Sequence, residues 1–437
     1  MRRTGRLVMA AVAAATLAIA IVPLGCGTDD SNDGPTPTPT PTSSGGATPT
    51  PTPLPSPTVV VLTLVESIGT DSTTLDLGAS GDAFLLAYEG GGVGTATAIY
   101  GVRFGADGRV IDPSPFLVSV PQGGGYLADP SWTDPAVAFD GSVYGVVYAG
   151  TGTVQGSVPG AAITAVQVGT DASVGFPADL AETAQIGTCE SDVVPPPALA
   201  ASSTTSFAAL WPLEEGCAGG PVLNRLDGAF AVVQGEGFAV NEIDGLLPPV
   251  GDQTVVSSPA SVASNGTTTV GAWTEMVAGG NAVTVEVAVL SAAGVARVAL
   301  ADAADALVRP SIATDGRDYL VVWNGSGGTV RGARFRPGTG PLDGPDGFVI
   351  SESPSSTEPV VAFGDGRYVV TWTRQQGSGV VPALASEVSS AGVVTPFGTV
   401  SGDVGSRMGI AFARGRFAIA YKRSSDTRSI AAALFAP

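Results

Sequence analysis

The 437-residue chain contains no histidine at all. That excludes Ser-His-Asp and Cys-His catalysis, His-ligated zinc and a histidine acid–base. Lysine occurs once, at Lys422, and 20 Lys and Arg together face 39 Asp and Glu, a formal charge of −19. Nucleic-acid binding draws on clustered cations that release counterions, so nucleic acid is not expected as a partner. Charged residues make up only 14% and aromatics 6%, too few to clothe the wet faces of long amphipathic helices. No G-x-S-x-G nucleophile elbow occurs. What is abundant is 60 Gly and 34 Pro in a 44% hydrophobic chain, the composition of short strands joined by tight turns. The acidity reads as a device for solubility.

Cysteine is scarce too: Cys26, Cys189 and Cys217 are all there is. Cys26 closes the segment MRRTGRLVMAAVAAATLAIAIVPLGC, with Arg2, Arg3 and Arg6 before an uncharged apolar run. A basic start, an apolar middle and small residues at the cut define an export signal. Its end, Pro23-Leu24-Gly25-Cys26, resembles a bacterial lipoprotein lipobox, although Pro23 stands where that family usually has Leu. The resemblance implies that residues 1–25 are removed and that Cys26 is acylated, anchoring the chain to a membrane in the cell envelope. Gly27 rather than Asp after the cysteine implies, by the same resemblance, the outer membrane. The two remaining cysteines form an even pair in an oxidising compartment, so a Cys189–Cys217 disulfide is expected.

Residues 26–57 run through TPTPTPT and TPTPTPLPSPT. Proline removes a donor and restricts its predecessor, so the stretch forms neither helix nor central strand and reads as an extended stalk. Asp29 to Gly34 (DDSNDG) has some calcium-loop character, but no bidentate Glu follows at the right distance.

Beyond the stalk the chain repeats. PSIATDGRDYLVVW (310–323) returns as PVVAFGDGRYVVTW (359–372), PAVAFDGSVYGVVY (135–148), PASVASNGTTTVGAW (259–273) and MGIAFARGRFAIAY (408–421). Weaker copies end at Tyr88 and Trp211. The terminal aromatics are Tyr88, Tyr148, Trp211, Trp273, Trp323, Trp372 and Tyr421. They lie about 60 residues apart in the first three intervals and about 50 in the rest, the range of a four-stranded propeller blade. Four of the five clear copies open on a Pro and turn at an Asp-Gly or Asn-Gly pair, and every copy ends in a large ring expected to pack between blades. Two weaker strands follow, as in 332–335 (GARF) and 348–351 (FVIS), which makes four per unit. The last copy runs out of chain after one more strand, so the run 58–64 (TVVVLTL) is expected to complete it and close the ring.

The pattern resembles repeat lipoproteins of environmental bacteria in which P-x-[VI]-A-x-[DN]-G-x-x-[YF]-L-V-V-W recurs. The resemblance covers residues 58–437 and implies a β-propeller of unassigned function. The expectation is therefore an all-β, seven-bladed propeller over 58–437; two β-sandwich domains are the alternative. The S-x-D-x-G-x-x-W boxes of sialidase-type propellers are absent.

The longer early intervals give the sequence's lead on function. Between the first two copies lies PQGGGYLADPSWTD, where Tyr126 and Trp132 stand beside Asp129 and Asp134. Exposed rings flanked by acids can stack on a sugar while the carboxylates take its hydroxyls; the plainer expectation is that these side chains fold back on their own blade. Gly150 to Gly156 (GTGTVQG) reads as a hairpin rather than a phosphate loop. Glu214 and Glu215 are adjacent carboxylates without a convincing partner. No catalytic residue, metal site or cofactor is expected. The chain reads as a monomeric, membrane-anchored binding or scaffold protein for a protein or glycan partner, with a carboxylate-based carbohydrate-active enzyme as the alternative.

Overall fold

A computed structural model describes residues 58–69, 74–91, 96–119, 128–154, 158–182, 196–203, 206–212, 221–226, 238–239, 255–277, 283–291, 294–304, 308–352, 356–374 and 381–436. Cys26, Tyr126, Cys189, Cys217, Glu214 and Glu215 lie outside them. Among the described residues the structure is β throughout, apart from a single 3-10 turn at Ser326–Gly328.

The described chain starts with β1 (Val59–Val65). Then β2 (Leu75–Ala79), β3 (Ala83–Gly90), β4 (Ala98–Gly105) and β5 (Phe116–Leu117) form an antiparallel sheet in chain order. The next sheet repeats this with β6 (Ala128–Phe139), β7 (Val143–Val154), β8 (Val158–Gly169) and β9 (Ala178–Glu182). A third holds β10 (Ala198–Ser203), β11 (Ser206–Pro212), β12 (Pro221–Leu226) and β13 (Phe238–Ala239).

Ten strands then share one sheet. Its first part holds β14 (Val255–Ser257), β15 (Ser261–Ser264), β16 (Thr269–Val277), β17 (Val283–Ser291) and β18 (Gly294–Ala304). Its second part holds β19 (Ser311–Thr314), β20 (Tyr319–Gly325), β21 (Thr329–Arg336), β22 (Gly340–Pro341) and β23 (Phe348–Ser351). Two four-stranded sheets follow. One holds β24 (Ser356–Gly364), β25 (Arg367–Arg374), β26 (Ala383–Val388) and β27 (Val394–Ser401). The last holds β28 (Val404–Ala413), β29 (Arg416–Arg423) and β30 (Ile430–Phe435), with β1 paired to β30 from Val59↔Phe435 to Val65↔Ile430.

The architecture is thus a β-propeller of four-stranded character, but the hydrogen bonding gives six sheets where seven separate ones were expected. The reason is local: β18 runs on until Ala304 bridges Gly325 of β20, which joins two successive repeats into one sheet. The first strands pack in order around a centre: β2 on β6, then β10, β15, β19, β24 and β28, with β28 returning to β2.

The repeat residues explain this build. The second strand of each copy, such as β20 or β29, is buried along nearly its whole length, because sheets cover both its faces. That is why it reads as an unbroken apolar run rather than an alternating one. All seven terminal aromatics are buried, as expected of rings packed between sheets. At the hairpins, Asp315 Oδ1 accepts from the N–H of Arg317 (2.9 Å) and Asp318 (2.6 Å), while Gly316 supplies φ +92°. Asp140 and Asn265 do the same in their copies. The two last copies instead use tight pairs, Asp365-Gly366 and Arg414-Gly415, with positive φ at both residues. Those are the dihedrals of a type I′ turn.

Charged forks tie neighbouring repeats on the outer side. Arg103 holds Asp112 through Nε and Nη2 (3.0 and 2.7 Å) and donates from Nη1 to Thr170 O of the next sheet. Arg334 holds Asp343 in the same way (3.2 and 2.7 Å), and its Nη1 donates to Ser390 O at 2.7 Å. The planar guanidinium serves both partners at once, which an ammonium on a flexible stem does not.

Candidate functional site

Where the first strands converge they surround a cavity of about 490 Å³. Seven chain segments line it, from Thr74–Leu77 in the first copy to Arg407–Ile410 in the last. The residue just ahead of a repeat's opening position recurs among the lining residues. In chain order these are Thr74, Asp134, Pro197, Ser258, Arg309, Glu358 and Arg407. Thr74, Asp134, Arg309, Glu358 and Arg407 line the cavity, and Asp76 adds a third carboxylate.

Backbone irregularity aims three of these side chains. The ladders shift register between Thr133 and Ala136, between Thr357 and Val360, and between Ser406 and Met408. At those shifts Asp134, Glu358 and Arg407 take positive φ of 50°, 54° and 31°, values unfavourable for residues other than glycine. Bulges of this kind re-aim side chains, and strained φ held at one repeat position costs stability that the surrounding structure must offset.

The charges at the hub are mostly spoken for. Arg407 Nη1 pairs with Asp134 Oδ1 at 2.5 Å, and the Arg407 N–H donates to Glu358 Oε2 at 2.8 Å. Thr74 Oγ1 accepts the Asp134 N–H (2.8 Å) and donates to Glu89 Oε2 (3.1 Å), which also accepts from Thr133 Oγ1 (3.0 Å). Burial holds the Glu89 carboxyl above the usual range, opposed by those two hydroxyls. Asp76 Oδ2 accepts the Val137 N–H at 2.8 Å. Desolvation nevertheless raises the Asp76 pKa, because the cavity walls surround its carboxyl although solvent reaches part of it.

Arg309 is the exception. Its Nη2 donates to the carbonyl of Pro197 at 3.0 Å, so the side chain reaches across the bore to another segment of the ring. No carboxylate among the described residues lies within ion-pair distance of it. Desolvation lowers its pKa, and the Asp76 carboxylate acts in the opposite sense.

The aromatic platform expected between the first two copies is not formed by Trp132. That ring is 7% exposed and packs edge-on against Tyr148, with centroids 5.1 Å apart. It also covers Gly150, where an added Cβ would lie 2.1 Å from a Trp132 carbon. The bulge after Thr133 turns Asp134 to the central cavity instead, away from its expected role beside Trp132. Tyr126 and the side chain of Asp129 lie outside the described residues. Asp76, Arg309, Glu358 and Arg407 were not singled out from sequence. For Arg309, Glu358 and Arg407 the available signal was a charged residue immediately before the repeat's opening position; Asp76, within its strand, had no such mark. Among the described residues no group of three or more acidic or cysteine side chains is arranged to hold a metal ion.

No family model matches the chain, and no curated protein matches it. Among solved structures it is similar to Trypanosoma rangeli sialidase in complex with the inhibitor DANA, at 9% identity and a TM-score of 0.45, covering 87% of this chain and 60% of that one. It is also similar to the β-propeller domain of the Trilobed protease from Pyrococcus furiosus, at 10% identity and a TM-score of 0.45, covering 84% and 93%. The acylaminoacyl peptidase of Pyrococcus horikoshii matches at 11% identity with a TM-score of 0.42, covering 83% and 51%. The chain spans less than two thirds of the sialidase it matches. These likenesses concern fold and carry no argument about activity.

Proposed function

We propose that this chain is a non-catalytic binding module of the bacterial cell envelope that recognises a glycan or protein group at its central cavity. In this reading the ten-stranded sheet counts as two blades of a seven-bladed ring, and β1 completes the last blade. Acylated Cys26 anchors the body through the Pro/Thr stalk, at the outer membrane. The observation that carries the binding role is the hub itself. Bulged, strained positions spend stability to present Asp134, Glu358 and Arg407 to one cavity of small-molecule size. Packing alone asks for apolar residues there.

A second reading has one observation in its favour. The Asp76 carboxyl, raised by desolvation inside a cavity that holds two other carboxylates, has the character a glycosidase acid requires. The test is a glycan panel and an envelope-protein pull-down with the full acylated chain in detergent, run beside Arg407→Ala and Arg109→Ala, the latter at an exposed arginine between β4 and β5 that does not line the cavity. Saturable binding weakened about tenfold by the first variant and unaffected by the second supports the hub, since hydrogen bonds to charged groups carry that much. Binding equal in all three chains places recognition elsewhere, and turnover of a bound glycan favours the enzyme.

A further inference from the structure

Resting on the reading of the hub as a binding site, we propose that its ligand is a small hydroxy-carboxylate, such as a sugar acid, whose carboxylate pairs with Arg309.

The argument begins with the inventory of charge. Two guanidiniums and three carboxylates line the cavity. Arg407 is already paired with Asp134, and its backbone N–H is taken by Glu358. Arg309 has one carbonyl partner, Pro197, and no carboxylate among the described residues within ion-pair distance. A guanidinium carries five N–H donors in a planar fork suited to bidentate carboxylates. Solvent reaches only part of Arg309, and a partly desolvated cation left with one neutral acceptor is costly, a cost that a bound anion relieves.

The surroundings select among anions. Asp76, Asp134 and Glu358 outweigh the two arginines, so a dianion at Arg309 would meet a net negative wall, whereas a single negative charge matches the one unpaired cation. Those same carboxylates accept hydrogen bonds and donate none when ionised. The atoms flanking the ligand's carboxylate must therefore bring donors, and hydroxyls do so without adding charge. The cavity's volume of about 490 Å³ admits a ligand of monosaccharide size.

The test is calorimetric titration and thermal melting of the full chain in detergent with D-glucuronate, D-glucose and inorganic phosphate as probes. Glucuronate is expected to bind and raise the melting temperature, with glucose and phosphate each at least about tenfold weaker. Arg309→Met is expected to lose glucuronate binding about tenfold or more, while its ligand-free melting temperature stays level or rises. Arg309→Lys keeps the charge without the fork and is expected to fall between the two, and Arg109→Met to match the parent. Glucose binding as tightly as glucuronate would overturn the carboxylate while leaving the cavity as a binding site. Preference for phosphate would overturn the hydroxy-carboxylate. Absence of binding by all three probes removes this ligand class, and the glycan panel then judges the hub separately. A ligand-free Arg309→Met that melts well below the parent makes Arg309 a structural tie to Pro197 and defeats the proposal.

Discussion

The hydroxyl of Tyr368 donates to the carbonyl oxygen of Asp318 at 2.9 Å and accepts the N–H of Asp315 at 3.1 Å. One tyrosine thereby grips the hairpin turn of the repeat before its own. The relationship recurs in register. Tyr319 donates to Thr268 O at 2.6 Å and Tyr144 to Ala83 O at 3.3 Å, in each case the residue just before the equivalent position one repeat back. Phe84, Phe207 and Phe417 hold the same place in other copies, buried but with no hydroxyl to offer. The repeats are stitched where the ring is Tyr and merely packed where it is Phe.

Replacing Tyr368 by Phe leaves the ring's packing intact and removes two hydrogen bonds from the turn, while the Asp315 N–H and the Asp318 carbonyl still bond each other and Thr314 Oγ1 still donates to that carbonyl. The expected loss is about 1–2 kcal/mol of unfolding free energy, read as a lower urea midpoint at unchanged slope. Tyr144→Phe, whose bond to Ala83 O is longer, is expected to cost less. Equal losses at the two positions would show that the ring environment, not the hydroxyl, sets the cost.

Trp132→Ala tests packing against recognition. With its ring wedged between Tyr148 and Gly150, truncation is expected to cost about 3–5 kcal/mol, the usual price of emptying a large aromatic site. Ligand affinity of the fraction that stays folded is expected to match the parent. A stable Trp132→Ala chain with weakened glycan binding would instead return the ring to the surface role first expected of it.

The pH dependence follows from Asp76. Desolvation raises its folded pKa, so its contribution to stability is fully present below the unfolded value of about 3.9 and is lost as pH rises through the folded value. Above that, the native state carries a poorly solvated charge. Asp76→Asn retains an acceptor for the Val137 N–H and removes the charge. The variant is expected to be more stable than the parent at pH 7, with the difference closing as pH falls toward about 4. Urea melts of both chains across that window check it, and equal stability at pH 7 would mean that Asp76 is well solvated.

The repeat made the fold legible. An opening Pro, an Asp-Gly turn and a closing ring recur often enough to fix strand order, hairpin type and the burial of Trp273 or Trp323. The sheet count was not legible, because a single bridge between Ala304 and Gly325 is decided by how far β18 extends, and no residue type marks that. The site was half legible. Asp134 was noticed beside Trp132, but a register shift of one residue sends the two to different places, the ring into the sheet stack and the carboxylate to the hub. Arg309 and Arg407 line one cavity only because successive first strands pack around a common centre, a relation among residues far apart in sequence that no local window displays.

The pairing of β1 with β30 imposes a schedule. Val59 pairs with Phe435, so this sheet joins the first and last strands among the described residues. Such a contact has the largest sequence separation the fold offers and is entropically the slowest to form. A chain synthesised from its N-terminus makes β1 before β30 and must hold β1 unpaired until residues 430–435 arrive. Leu64 and Val65, buried in the finished sheet, therefore stay open to solvent until β30 is made, whereas Val60 and Val61 keep their exposure in the folded chain.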